Sequence, residues 1–399
     1  MGSGRFSQAR LARMCAVMAG YVERGEVSGL VTLVSRRGET HVEALGAQAL
    51  GGEPMRRDTI FRISSMTKPI VAVAAMILVE ECKLRLDDPV DRWLPELADR
   101  KVLKRLDGPL DETVPAARPI TVRDLLTLRM GFGFVMGSAE DYPILAAVEE
   151  LQLGMGPPKP ATPHDPDAWL RRFATLPLMH QPGEQWMYGL GLTVLGILIA
   201  RASGQRLEAL LLERIFVPLG MADTGFSVPA AKLDRLATCY ATNFDTGGIA
   251  SYDGVADSQW SQPPTFPDAA GGLVSTVDDY LAFGQMLLNG GKYGSERILS
   301  RLAVEAMTTD QLTPAQKSAS PSINVFLTPR TWGLGLSLVT DRDDLAAVPG
   351  RFGWEGGLGT AWASDPTEGL VAILMTQCLP LVADLHADFW TLAYGAIDD

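Results

Sequence analysis

An unbroken apolar run over positions 69–79 constrains the fold of this chain more than any other segment. The run contains no charged residue, so it predicts a helix that is buried on all sides rather than an amphipathic surface helix. Directly before it stands Ser65-Met66-Thr67-Lys68. A lysine three residues after a serine lies on the same helical face, about one turn away. The run therefore predicts that Lys68 lies beside Ser65 and away from water.

The pair Ser65 and Lys68 suits nucleophilic catalysis. A serine hydroxyl is a weak nucleophile at neutral pH and needs a nearby group to take its proton. Burial disfavours the charged form of a lysine, so Lys68 could accept that proton, and the start of a helix would surround Ser65 with free N–H groups. None of the other lysines has a serine three residues before it. The pattern alone leaves open a simpler interpretation, an N-cap serine followed by a solvated lysine.

Composition and charge narrow the class of protein. The chain has 399 residues, of which 47% are hydrophobic and 21% charged, as in an ordinary globular protein large enough for two lobes. Its net charge of -12 disfavours nucleic acids and anionic membranes as partners. The longest apolar runs fall short of the roughly 20 residues that span a bilayer. We therefore expect no nucleic-acid partner and no membrane partner.

The spacing of cysteines and histidines argues against a metal or redox centre. The cysteines, at positions 15, 82, 239 and 378, form no Cys-x-x-Cys pair, and the four histidines are equally dispersed. No glycine-rich phosphate-binding loop is present. These patterns predict no metal and no cofactor, and they predict reduced cysteines in a cytoplasmic protein.

Local patterns predict strands at both ends of the chain and helices between them. The predicted helices cover 6–25, 69–79, 122–128, 190–202, 207–215, 277–288 and 385–396. The predicted strands cover 30–35, 41–46, 59–63, 332–339, 357–363 and 370–377. Ser64 is expected to be the N-cap of the helix that follows Ser65. This order predicts an α/β (α+β) fold with an antiparallel sheet built from both termini.

The same order predicts two domains. Residues 1–84 and 298–399 would form the sheet domain, and residues 85–297 a mostly helical domain, with a cleft between the two. The stretch 131–166 is long and contains Met, Phe, Gly and Pro throughout. Loops of this length are often functional, so we expect either a lid-like wall of the cleft or an ordinary surface insertion.

Two later motifs contain further candidate residues. The first, Gln-Pro-Gly-Glu-Gln-Trp-Met-Tyr, ends at Tyr188 and leads into the helix predicted at 190. A tyrosine held close to a lysine could act as a base, although a core aromatic residue with a satisfied hydroxyl would give the same pattern. The second motif is Gly353-Trp354-Glu355-Gly356-Gly357. Its glycines would let the backbone approach a ligand closely, or would simply form a tight turn or bulge.

The order of the three motifs resembles the serine β-lactamase-like and penicillin-recognising hydrolase superfamily. It is most similar to the class C β-lactamase-related carboxylesterases, the family VIII esterases. The resemblance extends over nearly the whole chain, because the segments around all three motifs and the late strands also read like family segments. It implies a β-lactamase-like fold, in which an antiparallel sheet flanked by helices packs beside a mostly helical domain.

The resemblance also implies a role for each motif residue. Ser65 would attack the substrate carbonyl and carry the acyl group, Lys68 would help to deprotonate it, and Tyr188 would be the base. The oxyanion hole would consist of the backbone N–H groups of Ser65 and Gly357. The esterase family uses no metal and no organic cofactor, so none is expected here.

Two departures from the β-lactamase pattern bear on the substrate. The second motif usually ends Tyr-x-Asn, and Leu190 stands here in place of the asparagine. The third motif usually begins with lysine, and Trp354 stands here in place of that cation. An indole supplies an apolar surface but no positive charge for a carboxylate. The expected substrate-binding residues are Trp354, Gly356, Leu190, Met66 and Met187.

The predicted function is therefore hydrolysis of short- to medium-chain carboxylic esters through an acyl-Ser65 intermediate, with a small-molecule ester as the partner. Three alternatives remain open on the sequence. The acyl group could pass to an alcohol instead of water, as in an acyltransferase. The enzyme could be a β-lactamase or D-amino-acid peptidase, which Leu190 and Trp354 disfavour. The chain could also be a catalytically silent binding protein on the same fold.

Overall fold

A seven-stranded antiparallel sheet forms the centre of the computed structural model, which describes residues 5–158, 160–242 and 249–398. Strands β1 to β7 are Gly29–Arg36, Glu39–Gly46, Thr331–Trp332, Ser337–Leu338, Phe352–Gly356, Thr360–Asp365 and Leu370–Thr376. Their order across the sheet is β3-β4-β5-β6-β7-β1-β2. Because β7 pairs with β1, the sheet joins the two ends of the sequence, which confirms the predicted fold class.

Helices surround the sheet and fill the middle of the chain. Helices α1 to α13 are Gln8–Glu23, Thr67–Glu80, Val122–Leu126, Pro143–Glu150, Pro166–Thr175, Gly191–Ser203, Leu207–Leu211, Val217–Leu219, Val277–Leu288, Arg301–Met307, Pro314–Ser318, Pro321–Phe326 and Ala383–Gly395. A π-helical turn, Leu212–Phe216, connects α7 to α8. No helix in the described ranges is both long and apolar enough to cross a membrane.

Short strand pairs lie outside the main sheet. They are Arg5–Phe6 with Ile397–Asp398, Phe61–Arg62 with Val274–Ser275, Lys101–Leu103 with Thr113–Pro115, and Lys292–Tyr293 with Glu296–Arg297. Cys239–Thr242 pairs with both Ile249–Asp253 and Cys378–Leu379. The pair that includes Phe61–Arg62 matters most for the site, because it holds the strand that leads into Ser65.

The sheet is covered on both faces, as the side chains of β7 show. Val371 and Ile373 belong to the large hydrophobic core that also contains α2 and α9. Leu370, Ala372 and Leu374 point the other way, into the core formed with α1 and α13. Successive side chains of a strand alternate between faces, so an apolar strand with no polar face must lie between two helical layers. The molecule therefore has helical, sheet and helical layers.

Helix α2 lies in the interior, as the apolar run predicted. Every residue from Thr67 to Leu78 is buried. Burying an aliphatic side chain of Leu or Ile size stabilises a fold by about 1.5–3 kcal/mol, so packing rather than helix propensity holds this helix in place. The predicted helix 69–79 is confirmed, and α2 itself begins two residues earlier, at Thr67.

The prediction that Ser64 caps this helix is wrong. Ser64 has a φ of 45° and lies in a 3₁₀ turn, Ser64–Met66, that precedes α2. An N-cap residue needs an extended backbone to turn its side chain toward the first free N–H groups, and a residue with positive φ cannot do this. The Ser64 hydroxyl has no hydrogen-bond partner among the described residues, and the side chain is buried.

Two predicted strands differ from those observed. The stretch 332–339 is not one strand but a tight hairpin of β3 and β4, because Gly335 adopts a φ of 81° between them. A Cβ at Gly335 would lie 2.2 Å from Cβ of Ala72 in α2, so only glycine lets the hairpin pack this closely. The strand predicted at 357–363 begins at Thr360 instead, because Gly359, with a φ of 94°, turns the chain before it.

The long stretch 131–166 contains a helix, which the sequence did not predict. Helix α4 lies within it and buries Ile144 and Val148 in the large core. Phe134 and residues 154–158 of the stretch line the cavity described below. The domain boundaries and the lid-like role of this stretch remain predictions.

Candidate active site

The turn that carries Ser65 is fixed from three sides. The Ile63 N–H donates to the Leu273 carbonyl at 3.0 Å, and the Thr360 hydroxyl of β6 donates to the Ile63 carbonyl at 3.2 Å. On the other side of Ser65, the Tyr280 hydroxyl of α9 donates to the Met66 carbonyl at 2.8 Å. The backbone around Ser65 is therefore held by the sheet, by α9 and by the loop that precedes α9.

Lys68 lies one turn along α2 and is almost fully buried, with 2% of its surface exposed. Its Nζ donates a hydrogen bond to Ser65 Oγ at 3.0 Å and another to the Ala270 carbonyl at 2.6 Å. The structure thus brings together the two residues that the sequence predicted to be neighbours. An amine that is positioned by one carbonyl and touches the serine hydroxyl can exchange a proton with it.

Asp268 holds the loop that supplies the Ala270 carbonyl. One carboxylate oxygen, Oδ1, accepts hydrogen bonds from the Ala270 N–H at 3.0 Å and from the Thr193 hydroxyl of α6 at 2.9 Å. Sequence reasoning missed both Asp268 and Ala270. A backbone carbonyl leaves no side-chain signal, and the carboxylate lies far from the three motifs in sequence.

Tyr188 lies over Lys68, but its hydroxyl is bonded elsewhere. Lys68 Nζ is 4.6 Å from the centre of the Tyr188 ring. The phenol oxygen accepts a hydrogen bond from the indole N–H of Trp354 at 2.9 Å, and Phe326 stacks on the ring with 4.5 Å between centroids. Among the described residues Tyr188 makes no hydrogen bond to Ser65 or Lys68, so the expected direct contact between phenol and serine is not present in this state.

An ion pair between Arg330 and Glu355 positions Trp354. Arg330 Nη1 and Glu355 Oε1 are 3.0 Å apart, and Arg330 Cζ lies 5.4 Å from the centre of the Trp354 ring. Burial pushes the pKa of Glu355 upward, but Arg330, His386 and Arg351 together bring that pKa below its usual value. The Arg330 guanidinium, paired with Glu355 of β5, thus packs on the indole whose N–H reaches Tyr188.

A cavity of about 570 Å³ opens above these residues. Ser65, Lys68 and Tyr188 line it together with Leu190 and Gly357, so four of the motif positions and one departure from the β-lactamase pattern meet there. Further lining residues that sequence reasoning missed are Phe326, Ala270, Leu358, Leu379 and Pro380. A concave, mostly apolar pocket of this size with a few converging polar groups is typical of a small-molecule site.

Four expected substrate-binding residues do not line this cavity, and their role in binding remains a prediction. Met66, Met187 and Trp354 are buried in the large hydrophobic core, and Trp354 touches the site only through Tyr188. Packing, rather than ligand contact, explains the glycine at position 356, because a Cβ there would lie 2.5 Å from the Ile63 carbonyl oxygen. Glycine at this position lets β5 pack directly against the turn that carries Ser65. Leu190 lines the cavity, and its role in substrate binding remains a prediction.

Two residues that line the cavity have backbone N–H groups without a backbone partner. Over the described ranges, neither the N–H of Ser65 nor that of Gly357 donates to a backbone carbonyl. Gly357 follows β5 directly and lines the cavity beside Leu358. An oxyanion requires free donors of this kind, and the oxyanion hole of Ser65 and Gly357 remains a prediction. No group of three or more His, Cys, Asp or Glu that could hold a metal is found among the described residues.

Comparison with known proteins agrees with this arrangement. The family model described as Beta-lactamase matches residues 15–396. Protein Rv1367c of Mycobacterium tuberculosis is 40% identical over 389 residues, covering 96% of this chain and 91% of that protein. Esterase EstB of Burkholderia gladioli is 32% identical over 389 residues, covering 92% of this chain and 90% of that protein.

A solved structure shows the same fold. EstCE1, described as a hydrolase with promiscuous acyltransferase activity, superposes with a TM-score of 0.79 at 24% identity, over 97% of this chain and 99% of that chain. The family match covers nearly the whole chain, and the relatives match it from end to end. These comparisons confirm the resemblance seen in the three motifs. This chain belongs to the β-lactamase family.

Proposed function

We propose that this protein is a serine esterase that hydrolyses uncharged, short- to medium-chain carboxylic esters. The observation that carries the proposal is the 3.0 Å hydrogen bond between a buried lysine amine and the Ser65 hydroxyl, inside a cavity that Tyr188 and Gly357 also line. Full-length similarity to an esterase supports esters as the substrate class.

The proposed reaction has two halves. Ser65 Oγ forms a bond to the ester carbonyl carbon while its proton moves to Lys68. The carbonyl oxygen becomes an oxyanion that accepts hydrogen bonds from the N–H groups of Ser65 and Gly357. Cleavage of the carbon–oxygen bond then releases the alcohol, which takes a proton from Lys68 or Tyr188. Water attacks the acyl-enzyme in the same way, which releases the carboxylic acid and restores Ser65.

Tyr188 would exchange protons with the bound alcohol or water rather than through a direct hydrogen bond to Ser65. Its hydroxyl oxygen already accepts a hydrogen bond from the Trp354 indole, which fixes the position of the phenol. Catalytic hydrogen bonds are often absent before substrate binds, so a bound alcohol or water would bridge Tyr188 and Ser65. This role is consistent with the position of Tyr188 above Lys68.

The lining of the cavity supports neutral esters over β-lactams. Apart from Lys68, no lysine or arginine lines it among the described residues. Trp354 stands at the position that would supply a second cation, and its indole N–H donates a hydrogen bond to Tyr188. A carboxylate of a penicillin or a peptide would therefore lose its hydration without gaining a cation. Hydrolysis of p-nitrophenyl butyrate beside nitrocefin tests this, and faster turnover of nitrocefin would contradict the proposal.

The decisive variant is Ser65→Ala. We expect kcat for p-nitrophenyl butyrate to fall by about a thousandfold or more, because the nucleophile is lost while the fold is kept. A fluorophosphonate should add its mass to the wild-type protein and to Ser295→Ala, which alters an exposed serine, but not to Ser65→Ala. Labelling of Ser65→Ala, or its normal turnover, would disprove the assignment of the nucleophile.

Acyl transfer to an alcohol is the second candidate outcome of the same chemistry. The acyl-Ser65 intermediate is common to both reactions, and the acceptor alone differs. Adding a primary alcohol to the assay and measuring the new ester by mass spectrometry separates the two. Ester formation that outpaces acid formation at dilute alcohol would identify an acyltransferase instead of an esterase.

A further inference from the structure

A second chamber of about 800 Å³ adjoins the Ser65 cavity, and the reaction proposed above does not use it. The two spaces meet at a throat, whose residues line both: Phe134, the segment 154–158, Thr193 and Asp268. A chamber of this volume is by itself as large as a typical small-molecule pocket. An ester bound at Ser65 can therefore extend through the throat into a space that a butyrate group does not reach.

The floor of this distal chamber is apolar. Leu145 and Val148 of α4, Leu153 and Phe266 contribute it, and Phe266 stacks on Trp169 with 5.6 Å between centroids. This packing ties the floor to the large core, so the chamber is a preformed part of the fold. Polar side chains, among them Ser138, Gln152 and Gln259, line other parts of the chamber. The apolar floor favours a ligand group with a bulky hydrocarbon part to pack on it.

The charges at the chamber have one sign. Among the described lining residues the charged side chains are Glu149 and Asp268, both acidic, and no arginine or lysine is present. A carboxylate that entered would meet two negative groups and would lose its hydration in an apolar space. An uncharged group is not repelled by these carboxylates and has no ionic hydration to lose.

We propose that the distal chamber is a substrate subsite that accepts one bulky, uncharged half of an ester and rejects a carboxylate at the same position. This inference rests on the proposed esterase function and specifies its substrate class. The small ester half occupies the Ser65 cavity, and the bulky half passes the throat and packs on Leu145, Val148 and Phe266.

The first test narrows the chamber with Leu145→Trp, a half-buried residue that lines the chamber but not the Ser65 cavity. The probes are p-nitrophenyl acetate, p-nitrophenyl 6-phenylhexanoate with a bulky acyl half, and pyrenylmethyl acetate with a bulky alcohol half. We expect kcat/KM for at least one bulky ester to fall by about tenfold or more, with p-nitrophenyl acetate changed less than about twofold. Leu302→Trp, the same substitution at an exposed leucine, should change none of them.

The second test concerns charge. A p-nitrophenyl ester whose acyl chain ends in a carboxylate should have a kcat/KM about tenfold or more below that of its neutral methyl ester. Glu149→Lys should raise the value for the carboxylate ester by about threefold or more at low ionic strength, and leave the neutral ester within about twofold. A carboxylate ester that is cleaved as well as the neutral one would overturn the charge selection.

The outcomes separate the two levels of inference. If the wild-type protein hydrolyses no ester at all, the proposed function fails, and the subsite with it. If p-nitrophenyl acetate is hydrolysed by a route that needs Ser65, but Leu145→Trp leaves both bulky esters within about twofold of the wild type, the function stands and the subsite is disproved.

Discussion

Trp354 makes a contact that its sequence motif does not predict. The sequence suggested an apolar wall for the substrate, and the structure places the indole N–H 2.9 Å from the Tyr188 oxygen. Tryptophan and lysine share the ability to donate a hydrogen bond, although only lysine carries charge. At this position the indole keeps a donor beside the phenol while it removes the cation that a carboxylate would bind.

Replacing this donor should reduce turnover beyond what the lost packing alone would cost. In Trp354→Phe an aromatic ring remains, but the N–H and part of the buried volume are lost. We expect kcat to fall about 10- to 100-fold, because in the proposed reaction the donor acts on an oxygen that takes part in proton transfer. Trp332→Phe is the matched control, since Trp332 packs against Trp354 but donates to the Leu126 carbonyl. Steady-state kinetics on p-nitrophenyl butyrate would contradict the role of Trp354 if both variants lost kcat equally.

Ser64 carries backbone strain directly before Ser65. Its φ of 45° is unfavourable for a residue with a side chain, and its buried hydroxyl has no partner among the described residues. We expect Ser64→Gly to raise the free energy of unfolding by about 1 kcal/mol, since glycine adopts this conformation freely. Ser64→Ala keeps the strain and serves as the comparison in urea titrations. A glycine variant less stable than the alanine variant would show that the turn is unstrained.

At the scale of elements, helix α6 links the second motif to the nucleophile. It begins three residues after Tyr188, and its Thr193 hydroxyl holds Asp268. One turn further, Gly196 packs against the same loop, where an added Cβ would lie 2.4 Å from Cβ of Ala269. Close contact between this helix and the loop keeps the Ala270 carbonyl in reach of Lys68.

A methyl group at this contact should disturb both stability and the site. We expect Gly196→Ala to lower the free energy of unfolding by about 1–3 kcal/mol through overpacking, and to lower kcat as the Ala270 carbonyl shifts. Gly395→Ala in α13 is the matched control, because no atom lies within 4 Å of its added Cβ. That variant should be unchanged or slightly more stable, by up to about 1 kcal/mol. Equal effects in thermal melts would rule out the packing argument.

Elements with local signals were predictable, and those that depend on distant contacts were not. Helix 277–288 was predicted to the residue, because Thr276 caps it and a glycine pair follows it. The neighbourhood of Ser65 and Lys68 follows from helical spacing alone. The Trp354 bond to Tyr188, the Ala270 carbonyl and the hairpin at Gly335 arise only when remote segments pack together. The catalytic roles assigned to Ser65, Lys68 and Tyr188 remain predictions.

At the scale of the whole molecule, one buried histidine links stability to pH. His386 in α13 is buried, with 5% of its surface exposed. Burial lowers the pKa of His386 below its usual value of 6.5, although Glu355 and the Gly359 backbone act in the opposite direction. The folded protein therefore keeps this ring neutral at a pH where the unfolded chain protonates it.

The sign of the effect follows from proton binding. Below about pH 6.5 the unfolded chain takes up a proton that folded His386 does not, so the free energy of unfolding falls on acidification, by at most about 1.4 kcal/mol per pH unit from this group. His386→Leu removes the titration. In urea titrations at pH 7 and pH 5, the variant should lose less stability than the wild type. An identical loss would show that His386 does not contribute.

The strand order of the sheet has a consequence for how the protein is made. A ribosome delivers the Ser65 segment early, but β7, which separates β6 from β1, is among the last strands to emerge. Until then the amino-terminal hairpin lacks its neighbour, and the Gly356 and Thr360 contacts that brace the Ser65 turn do not exist. A stop codon before Leu370 would therefore remove a central strand and yield unfolded chains rather than weakened enzymes.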